Sequence, residues 1–181
     1  PAAIAGTLTV VAVFLYARSA FGRWTALLSA AYLAFFHFHV HFSRIALNNI
    51  WDALFLTLFS YLLWRAWSEE RRSLFAWAGL SLGLGLYFYT STRILVGLLP
   101  VWVAFAFLRD RARMARLRSH WLLLTVAALV VALPLAWFFA RHPAEFLAPM
   151  GRVSVLGPSL EKEVVATGLP SWMIVADQIA L

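Results

Sequence analysis

Residues 42–66 read FSRIALNNIWDALFLTLFSYLLWRA. From Ile50 to Leu63 the stretch carries a single charge, Asp52, and it ends on Arg65. A helix of this length satisfies its own backbone hydrogen bonds and can sit in hydrocarbon, where an irregular segment or an open strand edge cannot. The flanks are basic on both sides, with Arg44 before the run and Arg65, Arg71 and Arg72 after it.

Similar runs lie on either side. The chain reads as apolar helices over 2–17, 24–41, 49–66, 74–89, 94–108 and 120–140. Composition agrees: 63% of residues are hydrophobic, mean hydropathy is +0.80, and nine Trp and fifteen Phe add bulk suited to a bilayer. A soluble domain is nearer half apolar. The expected fold is all-α, a polytopic transmembrane bundle of about six helices. Segments 74–89 and 94–108 are short, and are read either as a hairpin that stops short of full depth or as two spans sharing the turn 90–93. The bundle is expected to occupy 1–140. Residues 141–171 are rich in Pro and Gly with mixed charge, so 141–181 is expected to be an extracytoplasmic loop and the start of a truncated helix. The chain opens inside a helix at PAAIAGTL and closes on IAL, and is read as a fragment. There is no Cys, so thiolate and disulfide chemistry are not available.

The net charge of +7 does not imply nucleic acid, because the cations are confined to short loops between apolar runs. Alternating the spans puts Arg18, Arg23, Arg65, Arg71, Arg72, Arg109, Arg111, Arg113, Arg116 and Arg118 on one side, ten in all. The other side has Arg44, Arg93, Arg141, Arg152 and Lys162, five in all. The richer side is expected to be cytoplasmic. RDRARMARLRS (109–119) is then a loop resting on anionic headgroups.

Arg44 and Arg93 are the exceptions, solitary cations at the outer ends of apolar helices. A cation at a membrane boundary is costly unless it meets an anion, and the anion at that depth is a lipid phosphate. YFYTSTR (87–93) leads two Tyr and three hydroxyl residues into Arg93, a plausible phosphate cradle; the plainer reading is a Tyr belt with a snorkelling Arg. Asn48, Asn49 and Asp52 begin the 49–66 helix, as ordinary N-capping and dipole complementation or as the lining of a polar cavity. Asp52 is the only acid before Glu69 and needs a partner, with Arg44 or Arg93 expected. His37, His41 and Arg44 are spaced to share a helix face while His39 points elsewhere. With no Cys or carboxylate beside the pair, an interfacial aromatic belt is favoured over a metal site, and no metal or cofactor is expected. Gly79 and Gly83 are four apart, as are Ser81 and Gly85, a spacing that lets membrane helices approach closely. Pro134 is expected to kink the last helix or to open a polar backbone site in it.

Taken together, FSRIALNNIWDALFLTLFSYLLWRA (42–66), GLSLGLGLYFYTSTRILVGLLP (79–100) and HPAEFLAPMGRVSV (142–155) resemble polytopic glycosyltransferases of the GT-C fold. Within these, the chain is similar to the bacterial branch related to protein O-mannosyltransferases and lipid A aminoarabinose transferases. Its elements are Ser43-Arg44-x-Ala46 and Tyr87 to Arg93. The resemblance implies an inverting transfer of a sugar from a polyprenyl-phosphate donor to a protein, lipid or glycan acceptor, outside the cytoplasm at the bacterial inner membrane. It implies a catalytic acid in an external loop ahead of Pro1. From the chemistry of the residues themselves, Arg44, Arg93, Asn48, Asn49, Asp52, Tyr87, Tyr89 and Thr90 are expected to bind substrate. Many relatives carry an acid about five residues after the SR arginine; Asn49 stands there in this chain, with Asp52 three further on. The rival classes are a transporter or flippase of an anionic lipid-linked substrate and a non-catalytic scaffold. Transporters often show internal repeats, and none is visible here.

Overall fold

A computed structural model describes residues 1–45, 49–88 and 91–145, and among these there is no strand. The helices are α1 (Ala2–Phe21), α2 (Arg23–Phe35), α3 (His37–Arg44), α4 (Asn49–Glu69), α5 (Arg72–Gly85), α6 (Ser91–Arg109), α7 (Arg111–Arg116) and α8 (Arg118–Arg141). The chain divides into two compact units, Pro1–Pro134 and Leu135–Leu181. In the second, the described part carries Arg141 stacked 4.4 Å over the Trp137 ring, followed by His142 stacked 4.7 Å from Phe138.

Each of the six expected segments is helical, and the fold is an all-α bundle of apolar helices. Not all have the length and apolarity to span. α1 and α8 do, and the bent pair α2 and α3 makes a third if it counts as one. α5 has 14 residues, about 21 Å at 1.5 Å per residue, which is short of a hydrocarbon core of about 30 Å.

Boundaries differ from expectation: α5 ends at Gly85 rather than at 89, α6 begins at Ser91 rather than at 94, and two further differences are larger. The run 24–41 is not one helix: it breaks at Phe36, whose backbone is extended, and α2 and α3 diverge by 56°. No Pro or Gly causes this break. Its reason is tertiary, because the bend lets α3 lay His39 and Ser43 against Gly6 of α1. The α1–α2 turn does need its glycine: Gly22 has φ 97°, and nothing lies within 4 Å of a Cβ there, so conformation rather than space is what requires it. The second difference is at 109–119, which contains the helix α7. Asp110 caps it, its carboxylate accepting from the Arg113 N–H at 2.9 Å.

The small residues of α5 split onto opposite faces, as positions two apart on a helix must. Gly79 and Gly83 lie against the backbone of α8, at Leu124 and Ala128. Ser81 and Gly85 face α4, where the Ser81 hydroxyl donates to the Phe55 carbonyl at 3.2 Å. α5 is thereby held tightly between its neighbours. The core beside it is built from Phe59, Phe75, Ala78, Leu82 and Leu124.

The arginine-rich loops meet at one end of the first unit. Trp64 donates its indole N–H to Ser19, joining the end of α4 to the end of α1. Glu70, between α4 and α5, pairs with Arg113 at 3.0 Å and Arg116 at 3.2 Å. Glu70 has φ 51°, a conformation that costs a non-glycine residue about 1–2 kcal/mol, and its two ion pairs offset part of that. Arg113 also stacks 4.3 Å from the Trp67 ring and donates to the Trp67 carbonyl. Trp67, Trp102 and Trp121 cluster beneath it and tie together the adjacent ends of α4, α6 and α8. At the same end the Arg65 guanidinium, helped by Arg71, holds the Glu69 carboxyl below its ordinary range.

Candidate functional site

The opposite end is formed by the start of α1, the end of α3, the starts of α4 and α6, and the end of α5. Ile50 and Leu54 of α4 bury against Ala2 and Ala5 of α1. His39 Nε2 lies 3.1 Å from the Gly6 carbonyl oxygen, to which it donates in its Nε2–H tautomer. Ser43 sits so close to Gly6 that a Cβ there would be 2.8 Å from the Ser43 Cβ. Glycine at position 6 is what allows the SR element to dock on α1.

On the other flank of α4, Trp51 and Phe55 both stack on Phe88, at 5.2 and 5.1 Å between centroids. The central polar contact joins α4 to α6: the Thr92 hydroxyl donates to Asp52 Oδ1. Asp52 is 5% exposed and Thr92 1%. A carboxylate so far from water needs a donor, and Thr92 supplies one. Gly85 makes room for it, since a Cβ at 85 would lie 3.0 Å from the Thr92 methyl. α4, α5 and α6 therefore lock around one buried hydrogen bond.

The candidate residues divide as follows. Arg44 ends α3 and is exposed. Arg93, expected in a turn over 90–93, is instead in the first turn of α6 and half-buried. Asn49 opens α4 and is half-buried, with Asp52 in the same first turn. Tyr87 is 45% exposed, and its hydroxyl donates to the Val131 carbonyl of α8 at 2.7 Å, fastening the chain after α5 to α8. Asn48, Tyr89 and Thr90 lie outside the described residues. The partner found for Asp52 is the hydroxyl next to Arg93. Thr92, one of the three hydroxyls that lead into Arg93, is not the partner expected for Asp52; a lone acid in one helix start and a hydroxyl beside the arginine of another are the signals for it.

His37 and His41 do share a face, their rings stacked with centroids 5.9 Å apart, and both are exposed while His39 turns toward α1. Among the described residues, no group of three His, Cys, Asp or Glu side chains is arranged to hold a metal ion.

Thr92→Val removes the donor and keeps the shape. It is expected to destabilise the protein by about 1–3 kcal/mol, the usual result of stranding a buried acceptor. Thr92→Ser, which keeps the hydroxyl, should cost less. Denaturant unfolding in detergent reads both, and equal stability of Thr92→Val and the parent would mean that the contact contributes nothing.

A bundle of apolar helices with paired polar residues at the end away from its arginine-rich loops is an integral membrane protein. Residues 1–138 match the family described as dolichyl-phosphate-mannose-protein mannosyltransferase, and the chain belongs to that family. It is accordingly a membrane glycosyltransferase of the GT-C type. No curated protein and no solved structure matches the chain.

Proposed function

We propose that this protein transfers a sugar from a polyprenyl-phosphate donor to a protein, lipid or glycan acceptor on the extracytoplasmic face of the membrane, with inversion at the anomeric carbon. The observation that carries the reading is the buried Asp52–Thr92 bond. It fixes the start of α6, and with it Arg93, against the start of α4. A helix start already offers unpaired N–H groups and the positive end of a dipole to an anion. Arg93 adds a guanidinium fork suited to phosphate oxygens. Arg44 is the second candidate cation, delivered to the same end of the first unit by the docking of Ser43 and His39 on Gly6.

In this reading the donor phosphate, as leaving group, gains charge while the acceptor hydroxyl attacks. Arg93 and Arg44 stabilise that charge, an interaction stronger in the transition state than in the ground state. The carboxylate that takes the acceptor's proton is assigned, on the family resemblance, to a segment ahead of Pro1. Asp52 holds Thr92 and does not act as the base. Asn49, Tyr87, Asn48, Tyr89 and Thr90 are proposed to line the donor site.

Sidedness tests the reading. Reporter fusions after Arg72 and after Arg118 should read cytoplasmic, because ten of the fifteen basic residues fall at or between the helix ends assigned to that side. In sealed vesicles of known orientation, the full-length protein should transfer sugar from a polyprenyl-phosphate donor only on the other face. Cytoplasmic transfer, or an external reporter at Arg118, would overturn the proposal.

A further inference from the structure

Between α5, α6, α7 and α8 lies a cavity of about 680 Å³, within the range of small-ligand sites. Its walls are apolar stripes at helical spacing. Val96, Val103 and Phe107 come from α6, and Trp121 and Ala128 from α8. The exceptions are Thr125 and Arg118, the latter lining the cavity at the arginine-rich end. Arg111 has its guanidinium 5.5 Å from the ring of Phe107, one of the α6 residues of the wall.

The charges of this loop are divided unequally. The ion pairs among the described residues take up Arg65, Arg71, Arg113 and Arg116. None of them reaches Arg109, Arg111 or Arg118. Asp110 is occupied in capping α7. Glu69 and Glu70 are thus each shared by two arginines, while among the described residues no ion pair reaches Arg118 on the cavity wall.

We infer that the cavity is a binding site for one anionic glycerophospholipid of the leaflet on the arginine-rich side. An acyl chain lies along α6 and α8, and the phosphate is held by Arg118 and Arg111. An apolar cavity with Arg118 at one end, outside every ion pair of the described residues, complements a molecule with a hydrocarbon tail and an anionic head. The glycosyl donor is a poorer match, because on the reading above its phosphate belongs at the opposite end, beside Arg93. Occupancy by this lipid would hold α6 and α8 apart at a fixed distance and steady α7 on the membrane surface.

The test uses the full-length protein in phosphatidylcholine vesicles containing a minor fraction of phosphatidylglycerol. After extraction in mild detergent, lipid retained per chain is measured by mass spectrometry of the intact complex. Phosphatidylglycerol should be retained in preference to phosphatidylcholine by roughly tenfold, as expected for a charge-assisted contact. Arg118→Gln combined with Arg111→Gln should abolish the preference. Val103→Trp should block retention by filling the cavity, and Leu129→Trp, at an exposed position on the α8 wall, serves if Val103→Trp does not fold. Equal retention of the two lipids, a preference unchanged by the glutamine pair, or polyprenyl phosphate as the retained molecule would each overturn the inference.

Discussion

Gly83→Leu is expected to destabilise the bundle by on the order of 3 kcal/mol, the upper part of the usual range for overpacking. A Cβ at position 83 would lie 2.8 Å from the Ala128 carbonyl oxygen and 2.8 Å from the Val131 Cβ. Neither is the end of a flexible side chain, so relief requires α5 and α8 to move apart. That motion would also strain the second close approach, Gly79 on Leu124, and the hydrogen bond from Tyr87 to Val131. Gly79→Leu should therefore behave alike, and the pair together should not be additive, because one separation relieves both. Gly97 of α6 is the control. It has nothing within 4 Å of a Cβ, so Gly97→Ala should be neutral or gain about 0.5–1 kcal/mol from reduced chain entropy. Unfolding in detergent distinguishes these cases. Normal stability of Gly83→Leu would show that α5 does not pack on α8 through its glycines.

Arg93→Lys should lower turnover in the full-length enzyme by roughly 10²-fold, the scale on which losing one donor to a developing oxyanion slows a reaction. The substitution keeps the charge and removes the planar fork. A residue needed only to anchor α6 at the headgroups would tolerate it, since lysine snorkels as well as arginine. Arg93 follows directly on Thr92, whose bond to Asp52 fixes this helix start. Folding should therefore survive the change, and unfolding in detergent beside the kinetics separates the two effects. Arg44→Lys is expected to act in the same direction more weakly, because Arg44 ends its helix exposed. Donor binding and turnover unchanged in both variants would reduce these arginines to membrane anchors.

The helices and the site were not equally legible in the sequence. Hydropathy located every apolar segment, because burial in hydrocarbon is a demand that each helix meets alone. The spacing of Gly79 and Gly83 announced a close helix contact, and the spacing of His37 and His41 placed both rings on one face. The candidate arginines stood out for the same local reason, as isolated charges at the ends of apolar runs. Nothing local marked the break at Phe36, which has neither Pro nor Gly. Nor did anything mark α7, whose cap depends on Asp110 within a run of arginines.

What the sequence by itself determined is the class of environment and the elements: apolar helices, basic loops sorted to one side, and small residues where helices touch. These follow from transfer free energy and helical period, which are properties of a short window. Only the tertiary structure decided partners. It set Gly83 on α8 rather than α4, Glu70 with Arg113 and Arg116, and Asp52 with Thr92, forty positions away. An acid removed from water takes whichever donor the packing of whole helices brings to it, and that packing is a long-range outcome that no window of sequence contains.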